Sequence, residues 1–171
     1  MPGKTLLTAE QIQRRVSEIG QQISRDYAGR NLMLICVLPN GFVFGADLVR
    51  AIEIPIVCQF VQPHRKAIDG AASQQIQIHY GPEIDVKGKD VLFVEGLIQS
   101  GQTTEFLMRT ILSWGASSVK LAAMIDKQTA RRVALQPDYM GFIIEETFII
   151  GYGLGDPQYH RNLPYIQSAG K

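Results

Sequence analysis

The chain has 171 residues, enough for one domain that buries a substantial hydrophobic core. Its 17 basic and 16 acidic residues leave a net charge of +1, which gives no electrostatic reason to expect binding to nucleic acid or to an anionic membrane. The apolar runs are too short to span a bilayer, and residues 1–11 lack the apolar core of a secretory signal. Cys36 and Cys58 each lie in an apolar run without Cys-x-x-Cys spacing, which favours two buried reduced thiols and a cytoplasmic protein.

The first predicted element is an amphipathic helix. Thr8 and Gln11 fit the S/T-x-x-E/Q capping box at its start, apolar residues recur at helical spacing from Ile12 to Ile23, and Ala28-Gly29 closes it. The next segment, Leu32 to Leu38, is apolar throughout and predicts a central strand that is covered on both faces.

A turn at Pro39-Asn40-Gly41 separates this strand from a second predicted helix, Phe42 to Ile52, and a second strand, Ile54 to Phe60. The stretch from Val61 to Lys89 differs because it is rich in turn-forming residues. Within it, Gln75 to Tyr80 alternates with period two, as a half-exposed strand does. We therefore expect an antiparallel flap over about residues 61–89, carried on the edge of a parallel core.

The core is predicted to resume with a strand from Val91 to Glu95, a helix from Thr103 to Trp114 and a strand from Val119 to Ile125. Two short apolar segments, Phe142 to Ile144 and Phe148 to Ile150, are interpreted as a late strand pair. Alternating apolar strands and helices favour an α/β fold with a parallel sheet covered on both faces. Without repeats or linkers, residues 1–171 are predicted to form a single domain.

The most informative segment is the junction between the strand that ends at Glu95 and the following helix. A Ser-Gly-Gln-Thr-Thr turn, residues 100–104, opens that helix. Backbone N–H groups converge at such a turn, the helix dipole adds partial positive charge, and the hydroxyls donate further hydrogen bonds. The pattern predicts a phosphate-binding loop.

This junction resembles the ribose-phosphate signature of type I phosphoribosyltransferases, most nearly the hypoxanthine-guanine branch. Further similarity lies in Gly88-Lys89-Asp90, Asp126-Lys127, the segment Phe148 to Gly153, and Leu163-Pro164-Tyr165. The resemblance covers nearly the whole chain. It implies a Rossmann-like α/β fold whose central parallel sheet is flanked by helices and carries a small antiparallel flap or hood.

The resemblance also implies roles for particular residues. In a relative, the 5′-phosphate would be held by the positions that correspond here to Ser100, Gly101, Gln102 and Thr103. At the base, Lys127 would bond the exocyclic oxygen of a 6-oxopurine, Phe148 would stack on the purine ring, and the Ile149 backbone would meet the base edge. The pyrophosphate loop would use Asn40, Gly41 and Arg161.

The chain departs from the family pattern at its acidic positions. Gly96 stands where the second of two ribose-binding acids belongs, so that only Glu95 remains, and Gln99 stands where the catalytic Asp belongs. An amide cannot act as a base at that position, and losing an acid–base group costs roughly 10²–10⁴-fold in rate. The expected metal position is Glu95, with weaker support from Asp156, because the family's metal-binding Asp aligns with Gly155.

Three hypotheses follow from this pattern. The first is a protein that binds purine nucleotides such as IMP or GMP, with weak or absent transferase activity and no cofactor. The second is an active purine-salvage enzyme that uses phosphoribosyl pyrophosphate and Mg²⁺. The third is a non-catalytic subunit that pairs with an active relative. A homodimer or homotetramer is expected.

Gly96→Asp combined with Gln99→Asp is predicted to restore the family's acidic pattern.

Overall fold

The computed structural model describes residues 3–67, 74–80, 84–146, 148–155 and 158–169. The elements follow in the order β1 (Thr5–Leu7), α1 (Ala9–Asp26), β2 (Leu32–Val37), α2 (Phe42–Ala51), β3 (Ile56–Ala67), β4 (Gln74–Tyr80), β5 (Asp90–Ile98), α3 (Gln102–Ser113), β6 (Ser118–Asp126), a 3-10 helix (Gln128–Ala130), β7 (Tyr139–Ile143), β8 (Ile149–Ile150) and β9 (Ile166–Ser168).

The main sheet has the strand order β4-β3-β2-β5-β6-β7. Neighbouring strands from β3 to β7 pair in parallel, and β4 pairs antiparallel with β3 at the edge. The carboxyl ends of β2, β5 and β6 therefore lie together at one edge of the sheet. The predicted α/β fold with a mostly parallel sheet and an antiparallel flap is confirmed.

Helices cover both faces of this sheet because the side chains of each strand alternate between them. On β2, Leu34 and Cys36 join a core formed with α1 and α2, whereas Met33 and Ile35 join a core formed with α3. The apolar stripe of α1 is buried in the first of these cores, and the predicted capping box is present, with Thr8 N donating to Gln11 Oε1 at 2.8 Å.

The predicted late strand pair is wrong. Its first segment falls in β7, which pairs with β6 in the main sheet, and its second falls in β8, which pairs with β9 in a separate small sheet. That small sheet has the order β1-β9-β8 and joins the two ends of the chain. It holds residues 149–155 beside the main sheet. No helix in the described part of the chain is long and apolar enough to cross a membrane.

Candidate active site

A cleft of ≈ 420 Å³ opens where the carboxyl ends of β2, β5 and β6 meet. Ligands of parallel α/β sheets bind at this edge. The residues assigned from sequence that line the cleft are Asn40, Glu95, Gln99, Ser100, Gly101, Thr103, Lys127, Phe148 and Ile149. Of the other assigned positions, Gly41, Gln102 and Arg161 lie outside the lining, and Asp156 lies outside the described residues. The flap contributes Pro63.

The predicted phosphate loop lies between β5 and α3. Gly101 is the N-cap of α3 and has a φ of 77°, in the left-handed region that glycine adopts without strain. No side chain caps the helix at this residue, and Ser100, Thr103 and Thr104 line the cleft beside it. A helix N-terminus of this kind suits a phosphate group, because the N–H groups of the first turn and the helix dipole favour an anion.

Glu95 is buried beside this loop, with only 7% of its surface exposed. Its Oε1 accepts a hydrogen bond of 2.8 Å from Oγ1 of Thr104, a residue to which sequence analysis assigned no role. Burial raises the pKa of Glu95 from 4.5 to about 7, although the Thr104 hydrogen bond lowers it. The carboxyl group is therefore partly protonated near neutral pH.

This pKa predicts how stability depends on pH. The carboxyl of the unfolded chain loses its proton near pH 4.5, whereas that of the folded chain keeps it until about pH 7. The free energy of unfolding should fall between these values as pH rises, by about 3 kcal/mol from this group, and then level off. Denaturant unfolding at several pH values measures the slope. Glu95→Gln should remove it, and an unchanged slope in that variant would contradict the assignment.

Gly96 packs directly against the predicted pyrophosphate loop. A Cβ at this buried position would lie 2.0 Å from the carbonyl oxygen of Asn40 and 2.9 Å from Cδ2 of Leu154. The predicted restoration of the acidic pattern through Gly96→Asp therefore conflicts with the packing, because the backbone of the 39–41 turn occupies the space that an aspartate side chain needs. Glycine at position 96 thus has two consequences in this chain: the second acid is missing, and the turn can approach β5 closely.

Arg161 contacts the same turn from the C-terminal segment. Its Nη1 donates to Oδ1 of Asn40 at 2.9 Å and to the Gly153 carbonyl oxygen at 2.5 Å, and its Nη2 donates to the Gly155 carbonyl oxygen at 3.3 Å. The fold thus brings Asn40 and Arg161 together although they are 121 positions apart. The guanidinium is directed at protein acceptors and holds the turn to the C-terminal segment.

The residues assigned to the base lie on the other side of the cleft. Lys127 follows β6 and is 5% exposed, and burial lowers the pKa of its ammonium, while Glu145 and Glu146 raise it. Phe148 is 53% exposed, which leaves its ring accessible to a flat ligand. Ile149 begins β8 and pairs with Ser168.

The described part of the chain offers Mg²⁺ few protein donors near Glu95. This ion prefers near-octahedral coordination by oxygen, usually from one or two carboxylates together with substrate phosphates and water. Among the described residues that line the cleft, the one carboxylate is that of Glu95, which is buried and hydrogen-bonded to Thr104, and the neighbouring position is Gly96. Among the described residues, His, Cys, Asp and Glu form no group of three or more that could hold a metal.

Comparisons with known proteins agree with this geometry. Residues 2–157 match the phosphoribosyl transferase domain. The hypoxanthine-guanine phosphoribosyltransferase of Streptococcus pneumoniae (strain ATCC BAA-255 / R6) is 37% identical over 95% of this chain and 91% of its own length. The chain also matches bifunctional TilS/HprT proteins, of which it spans 25% of the length.

Solved structures show the same relationship. A crystal structure of a hypoxanthine-guanine phosphoribosyltransferase (hpt-2) from Bacillus anthracis has 34% identity, a TM-score of 0.87 and coverage of 96% of both chains. A glutamine mutant from an analysis of an invariant aspartic acid in HPRTs has 31% identity and a TM-score of 0.89, and the match covers 96% of this chain and 94% of that one.

The fold is that of the type I phosphoribosyltransferases. The chain belongs to the hypoxanthine-guanine phosphoribosyltransferase family of purine salvage.

Proposed function

We propose that this chain binds 6-oxopurine nucleoside monophosphates such as IMP and GMP in the cleft, and that its phosphoribosyl transfer activity is weak or absent. The observation that carries this proposal is the pairing of a retained phosphate loop with Gly96, whose position is closed to the family's second acid by the Asn40 carbonyl.

A nucleotide would use both sides of the cleft. The 5′-phosphate would lie at the N-terminus of α3, and the base would reach Lys127, whose ammonium can donate to a carbonyl oxygen at position 6. The exposed ring of Phe148 would stack on the purine. Gln99 also lines the cleft, directly before the phosphate loop in the chain, and its amide NH₂ can donate to N7 of a finished nucleotide.

Synthesis of a nucleotide requires further binding and acid–base groups, and the cleft lacks several of them among its described residues. Phosphoribosyl pyrophosphate brings a pyrophosphate group and two ribose hydroxyls, and the reaction needs an acid–base group near N7. The amide of Gln99 cannot exchange a proton in this role, Glu95 is the only acid left of the pair, and Arg161 is engaged with protein acceptors. These features support binding of product over turnover.

A working transferase of purine salvage is the second candidate. It is favoured by the 37% identity to a hypoxanthine-guanine phosphoribosyltransferase that the chain matches almost end to end. In that case phosphoribosyl pyrophosphate and Mg²⁺ would be required, and Glu95 would have to hold the ribose without a second acid. Steady-state rates with hypoxanthine or guanine separate the two candidates.

The base pocket provides a test of the proposed ligand class. Lys127→Ala should weaken IMP binding by about 1.5–3 kcal/mol, the usual scale for a charge-assisted hydrogen bond. AMP presents an amino group at the same position, so it should bind weakly to the unmodified protein and change little in the variant. Calorimetric titration measures both ligands.

Lys87→Ala is the matched control, because Lys87 is exposed and precedes β5 at the opposite edge of the sheet. It should leave the binding of IMP unchanged. If AMP binds the unmodified protein as tightly as IMP does, the role proposed for Lys127 is wrong.

A further inference from the structure

The segment that follows β6 wraps around the phosphate loop. The backbone N–H of Lys127 donates to the carbonyl oxygen of Ile98 at 3.0 Å, and that of Arg132 donates to the carbonyl oxygen of Ser100 at 2.9 Å. Residues 127–132 are thereby bonded to the end of β5 and to the turn that follows it. The backbone of this segment is therefore held against the loop that faces the phosphate.

The side chain of Arg131 belongs to this segment of residues 127–132 and is largely buried. It is 13% exposed, and its Nη2 is paired with Oδ1 of Asp126, whose side chain is 3% exposed. Its Cδ and Nη1 lie 3.1 and 3.2 Å from the point that a Cβ on Gly101 would occupy. The guanidinium is thus packed against the N-cap residue of α3.

The hydrogen bonding of this guanidinium is incomplete. Within the described residues, its buried Nε and Nη1 atoms have no hydrogen-bond partner. Arginine remains charged at any ordinary pH, and buried donors are normally satisfied. The ion pair with Asp126 explains the charge and the position of Nη2, but among the described residues it leaves the other two buried donors unused.

We propose that Arg131 is a positioning residue for the 5′-phosphate of a bound ligand. It fixes Gly101, and with it the first turn of α3, and it places a positive charge behind the loop. Asp126 orients the guanidinium and also precedes Lys127, so one ion pair connects the phosphate loop with the base pocket. This inference rests on the proposed nucleotide binding and adds a determinant of its preference for phosphorylated ligands.

The test compares ligands that differ only in the phosphate. The ratio of the Kd of inosine to the Kd of IMP is measured by calorimetry for the unmodified protein, R131M, R131K and the control R132M, which alters the exposed neighbouring arginine. R131M should lower the ratio by about tenfold, because the charge is lost. R131K should retain most of the ratio, and R132M should leave it unchanged.

A merely structural role would weaken inosine and IMP equally, and an unchanged ratio in folded R131M would overturn the inference. Should R131M lose its fold, R131Q is measured instead with the same expectation, since its amide can still bond Asp126. Inorganic phosphate is titrated in parallel. Binding of phosphate that depends on Arg131 without binding of IMP would contradict the proposed function alone, and binding of neither would contradict both.

Discussion

Replacing Gly96 with aspartate is expected to destabilise the protein by about 3 kcal/mol, the upper end for an overpacked buried position. The new Cβ would lie 2.0 Å from the Asn40 carbonyl oxygen, a backbone atom that cannot rotate away as a side chain would. Displacing the 39–41 turn should also weaken nucleotide binding, because Asn40 lines the cleft. Denaturant unfolding and titration with IMP measure the two effects.

Gly96→Ala separates size from charge, since it introduces the Cβ without the carboxylate and should already show most of the loss. Gly29→Ala is the control, because a Cβ at that position meets no atom within 4 Å, although φ is +73°. It should cost only the backbone strain, about 1–2 kcal/mol. A Gly96→Asp protein as stable as the unmodified chain would contradict the packing described here.

Replacing Gln99 with aspartate is expected to raise the rate of phosphoribosyl transfer to hypoxanthine or guanine by about 10²-fold, the lower end for a positioned acid–base group. Gln99 is exposed on the turn before α3, so the shorter aspartate needs no rearrangement. Gly96 cannot be changed to aspartate without moving the turn. Any increase in the rate of transfer is therefore expected from the Gln99→Asp substitution alone. The gain stays partial while one ribose-binding acid is missing.

Gln99→Asn is the matched control, since it has the size of aspartate but no ionisable group, and it should give no gain. Steady-state rates with phosphoribosyl pyrophosphate and Mg²⁺ decide the outcome. Robust turnover by the unmodified protein would mean that the deficit assigned to Gln99 does not exist. No gain in a folded aspartate variant that binds IMP would place the deficit elsewhere.

Much of the fold is predictable from local patterns. Helix α1 carries its own capping box and apolar stripe, and β2 reads as a central strand because it is apolar throughout. The small sheet was missed because it is built from strands of two or three residues, and its pairing of Thr5 with Gln167 joins opposite ends of the chain. Segments this short carry no periodicity that a sequence pattern could reveal.

In the candidate site, too, some features can be predicted from local sequence patterns and others cannot. Residues of the phosphate loop are adjacent in sequence, so their motif indicates the chemistry directly. The contact of Gly96 with the Asn40 carbonyl joins β5 to the turn after β2, and the Arg131 side chain reaches Gly101 from beyond β6. Such packing depends on the pairing of separate strands. The loss of the acid at position 96 is therefore visible in the sequence, whereas the backbone that fills its place is visible only in the structure.

Calorimetric titration with IMP and with phosphoribosyl pyrophosphate, each with and without Mg²⁺, separates a nucleotide-binding protein from an active transferase. IMP should bind with little dependence on Mg²⁺, because the phosphate loop and Lys127 recognise it without a metal. Phosphoribosyl pyrophosphate should bind weakly under both conditions, because Gly96 offers its ribose no carboxylate and Glu95 is buried and hydrogen-bonded to Thr104. Tight, Mg²⁺-dependent binding of phosphoribosyl pyrophosphate would contradict the account and establish the active transferase instead.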